Sequence, residues 1–366
     1  MNIAIDVHSL GSRASGNETY FQQLVRGLVL DKSHNRYALF YMHDGAPESN
    51  PTDARFRWVR IPRNPLWRLG LSLPRALREI QPDVFHCQYI QPLFVRCKTV
   101  VTIHDLAYEH LSGFAHPMEV AVMRKLVRAT ARRADRILTV SQFSAEDIVR
   151  TYRVPAEKVR VAYQAASEEF HPRNKEDAQA YLAKTYGIAP PFLLYVGRIQ
   201  ARKNLERLVD AYAALLQNHP AIKLVMAGKP DWGFEDLRNK IAALRLGDRV
   251  VLPGYVPAGD LPLFYNAAEL FIFPSLFEGF GLPVLESMAS GVATVTSRGS
   301  SLEEVAGDGA LLIDPHKVDS MTEAMDHVLT NETCRRNLIT RGLVRSSEFS
   351  AQSFAEQVLQ VYQSLG

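Results

Sequence analysis

Short apolar runs alternate with segments of helical periodicity along nearly the whole chain, and this restricts the fold more than any other feature of the sequence. In the first half, strands are expected at Asn2–Asp6, Tyr37–Tyr41, Phe56–Ile61, Val84–Cys87, Lys98–Ile103, Arg136–Val140 and Val159–Ala162. Helices are expected between them at Thr19–Leu30, Trp67–Ile80, Met118–Arg133 and Ala145–Tyr152, with Ser144 and Asp147 as a capping box for the last. The second half repeats the scheme. Its strands are expected at Phe192–Val196, Lys223–Ala227, Val250–Leu252, Leu270–Phe273, Ala293–Thr296 and Ala310–Ile313. Its helices are expected at Asn204–Gln217, Phe234–Leu246, Leu261–Ala267, Val284–Ser290, Ser320–Leu329 and over much of Glu332–Leu365. Strand–helix alternation of this kind predicts an α/β protein whose parallel sheets are covered by helices on both faces.

The 366 residues suggest two domains at roughly 150 residues each. The polar stretch Ser167–Asp177 is the best linker candidate, which divides the chain into residues 1–168, 169–348 and a closing helical segment, 349–366, expected to pack back onto the first domain. The three cysteines, Cys87, Cys97 and Cys334, have no metal-type spacing and an odd count, so reduced thiols in a cytosolic protein are expected. No signal peptide and no spanning helix are expected, because Asp6 interrupts the first apolar run and no later run approaches the ~20 residues a bilayer requires.

The net charge of +3 conceals an asymmetry, +7 over residues 1–168 and −4 over 169–366. The basic half is rich in arginine, including Arg124, Arg128, Arg132 and Arg133 beside Lys125. Such a half is either a solvated basic surface or one drawn to anionic lipid headgroups or a phosphate-bearing acceptor. No nucleic-acid-binding motif accompanies the charge.

Two strand ends carry the chemistry. In the segment Leu194–Asn204 an apolar strand stops at Gly197, and Arg198 and Lys203 follow before the next helix. Ligands of open α/β sheets sit outside the carboxyl ends of strands, where these two cations suit a diphosphate. The alternative is two surface cations on a connecting loop. In the segment Pro274–Ala289 a glycine-rich loop leads into a helix with Pro283 near its start. The backbone N–H groups of Gly281 and Leu282 are then placed to meet an anion at the helix N-terminus. Glu278 in the loop and Glu286 in the helix are of a type that accepts hydrogen bonds from vicinal hydroxyls. Structurally, they read as an ordinary loop residue and a helix-dipole acid. His104 follows the strand end at Ile103, so it belongs to the same kind of edge.

Glu278-x7-Glu286, preceded by Phe273-Pro274-Ser275, resembles the signature of the retaining glycosyltransferase family 4. Gly197-Arg198 with Lys203-Asn204 is similar to that family's phosphate-binding segment. Val140–Ser144 and Thr102–Leu106 are similar to its first-domain strand ends, the latter carrying the active-site histidine. The resemblance implies a GT-B fold, two Rossmann-like domains with parallel sheets facing an interdomain cleft, and a retaining transferase that moves a hexose from a nucleotide-diphosphate sugar. Arg198 and Lys203 would neutralise the leaving diphosphate, Glu286 would hold the ribose, Glu278 the transferred sugar, and His104 would face that sugar. Gly16 departs from the pattern, standing alone in Ala14-Ser15-Gly16 where relatives carry a double glycine, yet still allows a turn against a phosphate or sugar. His8 and His86, at other strand ends, are acceptor-side candidates.

No obligatory cofactor or metal is expected. The donor is expected to be GDP-mannose, with a UDP-sugar second, and the acceptor a glycan, a lipid-linked saccharide or a small molecule. The expected location is cytoplasmic, with a peripheral place on the inner face of a membrane. A nucleotide-sugar epimerase, a sugar phosphorylase and a non-catalytic nucleotide-sugar-binding protein are the competing readings. Hydride transfer is disfavoured because no G-x-G-x-x-G follows the first strand, and Gly228-Lys229 is no P-loop because Pro230 replaces the Ser or Thr.

Overall fold

Runs such as Phe192–Val196 and Leu270–Phe273 are buried along their whole length, which is what central parallel strands require. The computed structural model describes residues 1–11, 16–42, 53–111 and 117–366. Its residues fall into two units. The first comprises Met1–Glu109, Pro117–Gln164 and Ser350–Gly366, and the second comprises Ala165–Phe349 with a short stretch beginning at His110.

The first unit is built on a seven-stranded parallel sheet: β1 (Asn2–Asp6), β2 (Arg36–Tyr41), β3 (Phe56–Arg60), β4 (Val84–Gln88), β5 (Lys98–Thr102), β6 (Arg136–Thr139) and β7 (Val159–Val161). The spatial order is β3-β2-β1-β4-β5-β6-β7, so the winding direction reverses between β1 and β4. The connecting helices are α1 (Gly16–Leu30), α2 (Pro65–Trp67), α3 (Leu73–Ile80), α4 (Ala107–His110), α5 (Pro117–Arg133) and α6 (Gln142–Tyr152). A π-helical turn, Arg68–Ser72, joins α2 to α3, so the segment expected as one helix from Trp67 is broken. The cap of α6 is also corrected: Ser141, in extended conformation, accepts from the Ser144 amide, while Asp147 accepts from Arg150 and Thr151.

The second unit opens with α7 (Lys175–Tyr186), which occupies part of the expected linker because Asn174 caps it through the Asp177 amide. A six-stranded parallel sheet follows: β8 (Phe192–Val196), β9 (Lys223–Ala227), β10 (Val250–Gly254), β11 (Leu270–Phe273), β12 (Thr294–Ser297) and β13 (Leu311–Ile313). Its order, β10-β9-β8-β11-β12-β13, reverses between β8 and β11. The helices are α8 (Leu205–Leu215), α9 (Phe234–Ala243), α10 (Leu261–Ala267), α11 (Leu282–Ala289), α12 (Ser301–Ala306), α13 (Val318–Thr330) and α14 (Glu332–Ser347).

The last helix, α15 (Ala351–Gln363), belongs to the first unit and packs on α1. Contact is close enough that Gly27 faces the Ala355 methyl where its own Cβ would stand, so only glycine fits there. Buried Phe354 meets the edge of Tyr20, with ring centroids 5.1 Å apart. Both units therefore have the three-layer, doubly wound architecture expected of the sequence pattern.

Candidate functional site

Both sheets reverse their winding once, and it is there that open α/β sheets leave a crevice at the carboxyl ends of their strands, so candidate residues are sought there.

In the second unit the two central strands, β8 and β11, deliver the two loops singled out in the sequence. After β8 the chain passes Gly197, whose carbonyl occupies the space a Cβ at Gly228 would need; a side chain at Gly228 would collide with backbone. The chain then makes a 3-10 turn at Ala201–Lys203 and enters α8 through Asn204 in left-handed conformation. Asn204 Nδ2 donates to the carbonyls of Pro274 (3.1 Å) and Pro315 (2.6 Å), and the Leu276 amide donates to the Arg202 carbonyl at 2.9 Å. The β8 and β11 loops are thus tied by backbone bonds rather than by side chains alone.

These ties bring Lys203 and Arg202 onto Glu278. Lys203 Nζ donates to Glu278 Oε1, Arg202 Nη1 lies 3.1 Å from Oε2, and Lys203 also stands 4.8 Å from the centroid of the Phe273 ring. Glu278 is buried. Burial alone would raise its carboxyl, but Arg202 and Lys203 outweigh that and hold it at about 2. Arg198, expected beside Lys203 on a diphosphate, faces an acid of its own. Its Nη1 donates to Asp231 Oδ2 at 3.0 Å, an oxygen that also accepts from Gln200 at 2.6 Å. Arg202 was missed in the sequence, although it sits within the same basic run; the 3-10 turn, which no pattern announced, turns it towards the glutamate.

Ser301 Oγ donates to the carbonyls of Glu278 (2.8 Å) and Phe280 (3.0 Å), fixing the loop that precedes α11. Gly281 then opens α11 with φ 105°, and a side chain there would meet Leu302. Leu282 and Pro283 form the first turn, and the helix's own bonds begin at the Val284 amide. Just over one turn in, half-buried Glu286 accepts from the Tyr265 hydroxyl at 2.8 Å. Burial raises the Glu286 carboxyl to about 7, against the lowering effect of Tyr265. The two glutamates are consequently in opposite electrostatic states. Tyr265, on α10, carried no signal in the sequence.

In the first unit the edge residues form one connected chain. His86 Nδ1 lies 2.6 Å from the Tyr362 hydroxyl on α15, and its Nε2 lies 2.7 Å from Thr102 Oγ1, which in turn meets the Tyr20 hydroxyl at 2.9 Å. His86 is fully buried, and burial depresses it to about 3. With both ring nitrogens engaged inside the unit, it has none left for an acceptor hydroxyl, so its expected acceptor-side role is corrected to a structural one. His104 lies two residues beyond β5 and accepts at Nε2 from Gln88 at 2.9 Å, which leaves the proton on Nδ1. Burial lowers it to about 4, so it is neutral near pH 7. Half-buried His8, beyond β1, pairs with Asp6 at 3.0 Å. Gly16 is the exposed first residue of α1, and among the described residues nothing lies within 4 Å of where its Cβ would be. Ala14 and Ser15 lie outside the described residues.

Two doubly wound parallel sheets in one chain, with the last helix returning to the first unit, are the architecture of the GT-B fold. The sequence matches the family described as glycosyl transferases group 1 over residues 184–345 and that described as glycosyltransferase family 4 over residues 14–169. The chain belongs to glycosyltransferase family 4. It is 32% identical over 292 residues to the O-antigen chain mannosyltransferase B of Escherichia coli, an alignment covering 79% of this chain and 76% of that protein. A serotype-specific mannosyltransferase WbdA of Escherichia coli is 33% identical over 278 residues, 73% of this chain but 34% of that longer protein. Among solved structures, sucrose-phosphate synthase from Thermosynechococcus elongatus superposes with a TM-score of 0.82 at 22% identity, covering 100% of this chain and 99% of that one. Anabaena Alr3699/HepE in complex with UDP and glucose gives 0.78 at 18% identity, covering 100% of both chains.

Proposed function

We propose that this glycosyltransferase is a retaining mannosyltransferase that uses GDP-mannose to extend a bacterial-type surface polysaccharide. The observation that carries the reading is the convergence of Arg202 and Lys203 on Glu278 beside the start of α11, with Glu286 further along that helix. The sugar and the glycan acceptor are suggested by the mannosyltransferase names of the relatives.

In this reading the donor diphosphate lies at the Gly281–Leu282 end of α11 and shares Lys203 and Arg202 with Glu278. Arg198 provides further charge when it turns from Asp231. The ionised Glu286 accepts hydrogen bonds from the ribose hydroxyls. Glu278, kept ionised by its two cations, contacts the transferred sugar, and neutral His104, with its proton on Nδ1, is a candidate of the first unit. The anomeric carbon–oxygen bond to the β-phosphate breaks, the acceptor oxygen bonds the same face of that carbon, and the acceptor proton passes to the departing phosphate oxygen. Fixed cations and a helix end of this kind stabilise the leaving charge without requiring a metal. His8 and Gly16 remain as acceptor- and donor-side candidates. The reaction is placed in the cytoplasm, against an anionic membrane that presents a lipid-linked acceptor.

A panel of nucleotide sugars tests the donor by thermal shift, since a ligand at 100 times its dissociation constant adds about 2.7 kcal/mol. GDP-mannose should give the largest shift, and the anomeric configuration of the product by NMR should match the donor's. A larger shift with UDP-glucose would transfer the assignment to a UDP-sugar; an inverted product would overturn retention.

A further inference from the structure

We propose that Gln200 is a positioning residue for the transfer reaction: its side-chain amide, anchored on Asp231, sets the guanidinium of Arg202 that meets Glu278. This rests on the reading above in which Arg202 also contacts the donor diphosphate.

The loops that follow β8 and β9 are zipped together by their backbones. The Gly197 amide donates to the Ala227 carbonyl at 2.9 Å, that of Ile199 to Lys229 at 3.0 Å, that of Asp231 to Ile199 at 3.1 Å and that of Ala201 to Trp232 at 3.1 Å. Ile199 and Pro230 form a parallel bridge. The two chains thus run side by side beyond their strand ends, which brings Gln200 to Asp231, both half-buried. Asp231 is the fixed point. Its Oδ1 accepts from the Trp232 amide at 2.8 Å, and its Oδ2 accepts from Gln200 Nε2 at 2.6 Å and from Arg198 Nη1 at 3.0 Å. Burial would raise the Asp231 carboxyl, but these donors hold it below the usual aspartate range.

The other end of the Gln200 amide is on Arg202. Gln200 Oε1 accepts from Arg202 Nε at 3.1 Å. The same guanidinium donates from Nη1 to the Phe277 carbonyl at 2.9 Å and lies 3.1 Å from Glu278 Oε2. Asp231, Gln200, Arg202 and Glu278 therefore follow one another from the β9 loop, through the β8 loop, to the β11 loop. The residue type matters. A glutamine carries a donor and an acceptor on one plane. The Asp231 carboxylate takes only the nitrogen end, so the oxygen end must face the guanidinium and the amide cannot turn over. An arginine held at Nη1 alone pivots about that atom; the bond at Nε removes the pivot and fixes the plane of the fork. Holding the loops together is not what the amide is needed for, because the four backbone bonds already do that.

A double-mutant cycle between Gln200 and Arg202 tests this role. It is read by calorimetric affinity for the nucleoside diphosphate that binds wild type and by turnover of the corresponding nucleotide sugar. Q200L should lower affinity or turnover by about tenfold, the scale of one lost hydrogen bond to a charged group. In an R202M background Q200L should change neither by more than about twofold, because Gln200 acts through Arg202. The polarity of the bond to Asp231 gives a second test, which holds even where Q200L fails to fold. Q200E sets a carboxylate oxygen against Asp231 and should be at least as impaired as Q200L. Q200E/D231N, in which donor and acceptor change sides, should regain most of the lost activity. Equal losses on adding Q200L to wild type and to R202M, or no recovery in Q200E/D231N, would overturn the proposal. If R202M leaves nucleotide affinity unchanged, the donor reading of Arg202 falls and this role with it. If R202M weakens binding and Q200L alters nothing, the role of Gln200 alone falls.

Discussion

The Tyr265 hydroxyl donates to Glu286 across 2.8 Å, and this half-buried acid is held at about 7 rather than near 4.5. A carboxyl raised in this way favours the folded state while protonated, so its contribution is complete below about 4.5 and is lost as pH rises through 7. Ribose binding needs the ionised form and runs the other way. Nucleotide affinity in wild type should therefore strengthen between pH 6 and 8, with the Glu286→Gln variant as the reference that removes this dependence. Calorimetry on both proteins decides; parallel pH profiles would show that Glu286 does not meet the nucleotide.

Substitution of the other glutamate should separate binding from turnover. Glu278→Gln relieves Arg202 and Lys203 of a negative charge, so GDP affinity should be equal to or tighter than wild type. Turnover should fall by roughly a hundredfold, the size of a lost transition-state contact of about 3 kcal/mol. Glu278 is held at about 2, so the pair's stabilisation exists above about 4.5 and disappears as pH falls towards 2. Urea melts should accordingly show the wild type losing its advantage over Glu278→Gln in acid. Loss of GDP binding in this variant, with binding intact in Glu286→Gln, would invert the two roles.

The cations can be ranked. Arg202 faces Glu278 whereas Arg198 is engaged by Asp231, so Arg202→Met should weaken GDP binding more than Arg198→Met. Transfer should survive EDTA, because these side chains supply the positive charge. Complete loss restored by Mg²⁺ or Mn²⁺ would refute that assignment, as would a larger effect at Arg198.

The His86–Tyr362 bond offers a stability test remote from chemistry. Tyr362→Phe leaves a buried ring nitrogen without its partner and should cost about 1–3 kcal/mol in a denaturant melt. GDP affinity should be unchanged. Gly27→Val, which forces a side chain against Ala355, should expose α15 to proteolysis while leaving the second unit resistant.

Much of the fold was readable because period and burial agree: β8, β9 and β11 begin and end where their apolar runs do. The breaks were not readable. The helical period runs through the π-helical turn at Arg68–Ser72 despite Gly70 within it and Pro74 just after it, and α7 begins in a polar stretch that resembled a linker. Position was legible where a residue follows from its place at a strand end, as for Lys203, Glu278 and His104. It was not legible where partnership crosses the chain. Arg202 and Glu278 are brought together by a backbone bond and the Asn204 side chain between two loops, and Tyr265 reaches Glu286 from another helix. His86 misled because the end of a strand looks alike whether its side chain faces a crevice or the core.

The division of the chain has a consequence for synthesis on the ribosome. The second unit has all of its residues once Phe349 has been made, Ala165–Phe349 and the short earlier stretch beginning at His110, whereas the first needs α15, which emerges after it. Until residue 362 has left the exit tunnel, His86 lacks its tyrosine and the groove at Gly27 stays open to water. The unit encoded later therefore completes first, and the one encoded first waits, reversing the amino-to-carboxyl order in which nascent domains generally fold. Stalled nascent chains ending near residue 345 should show a protease-resistant second unit attached to a sensitive first one.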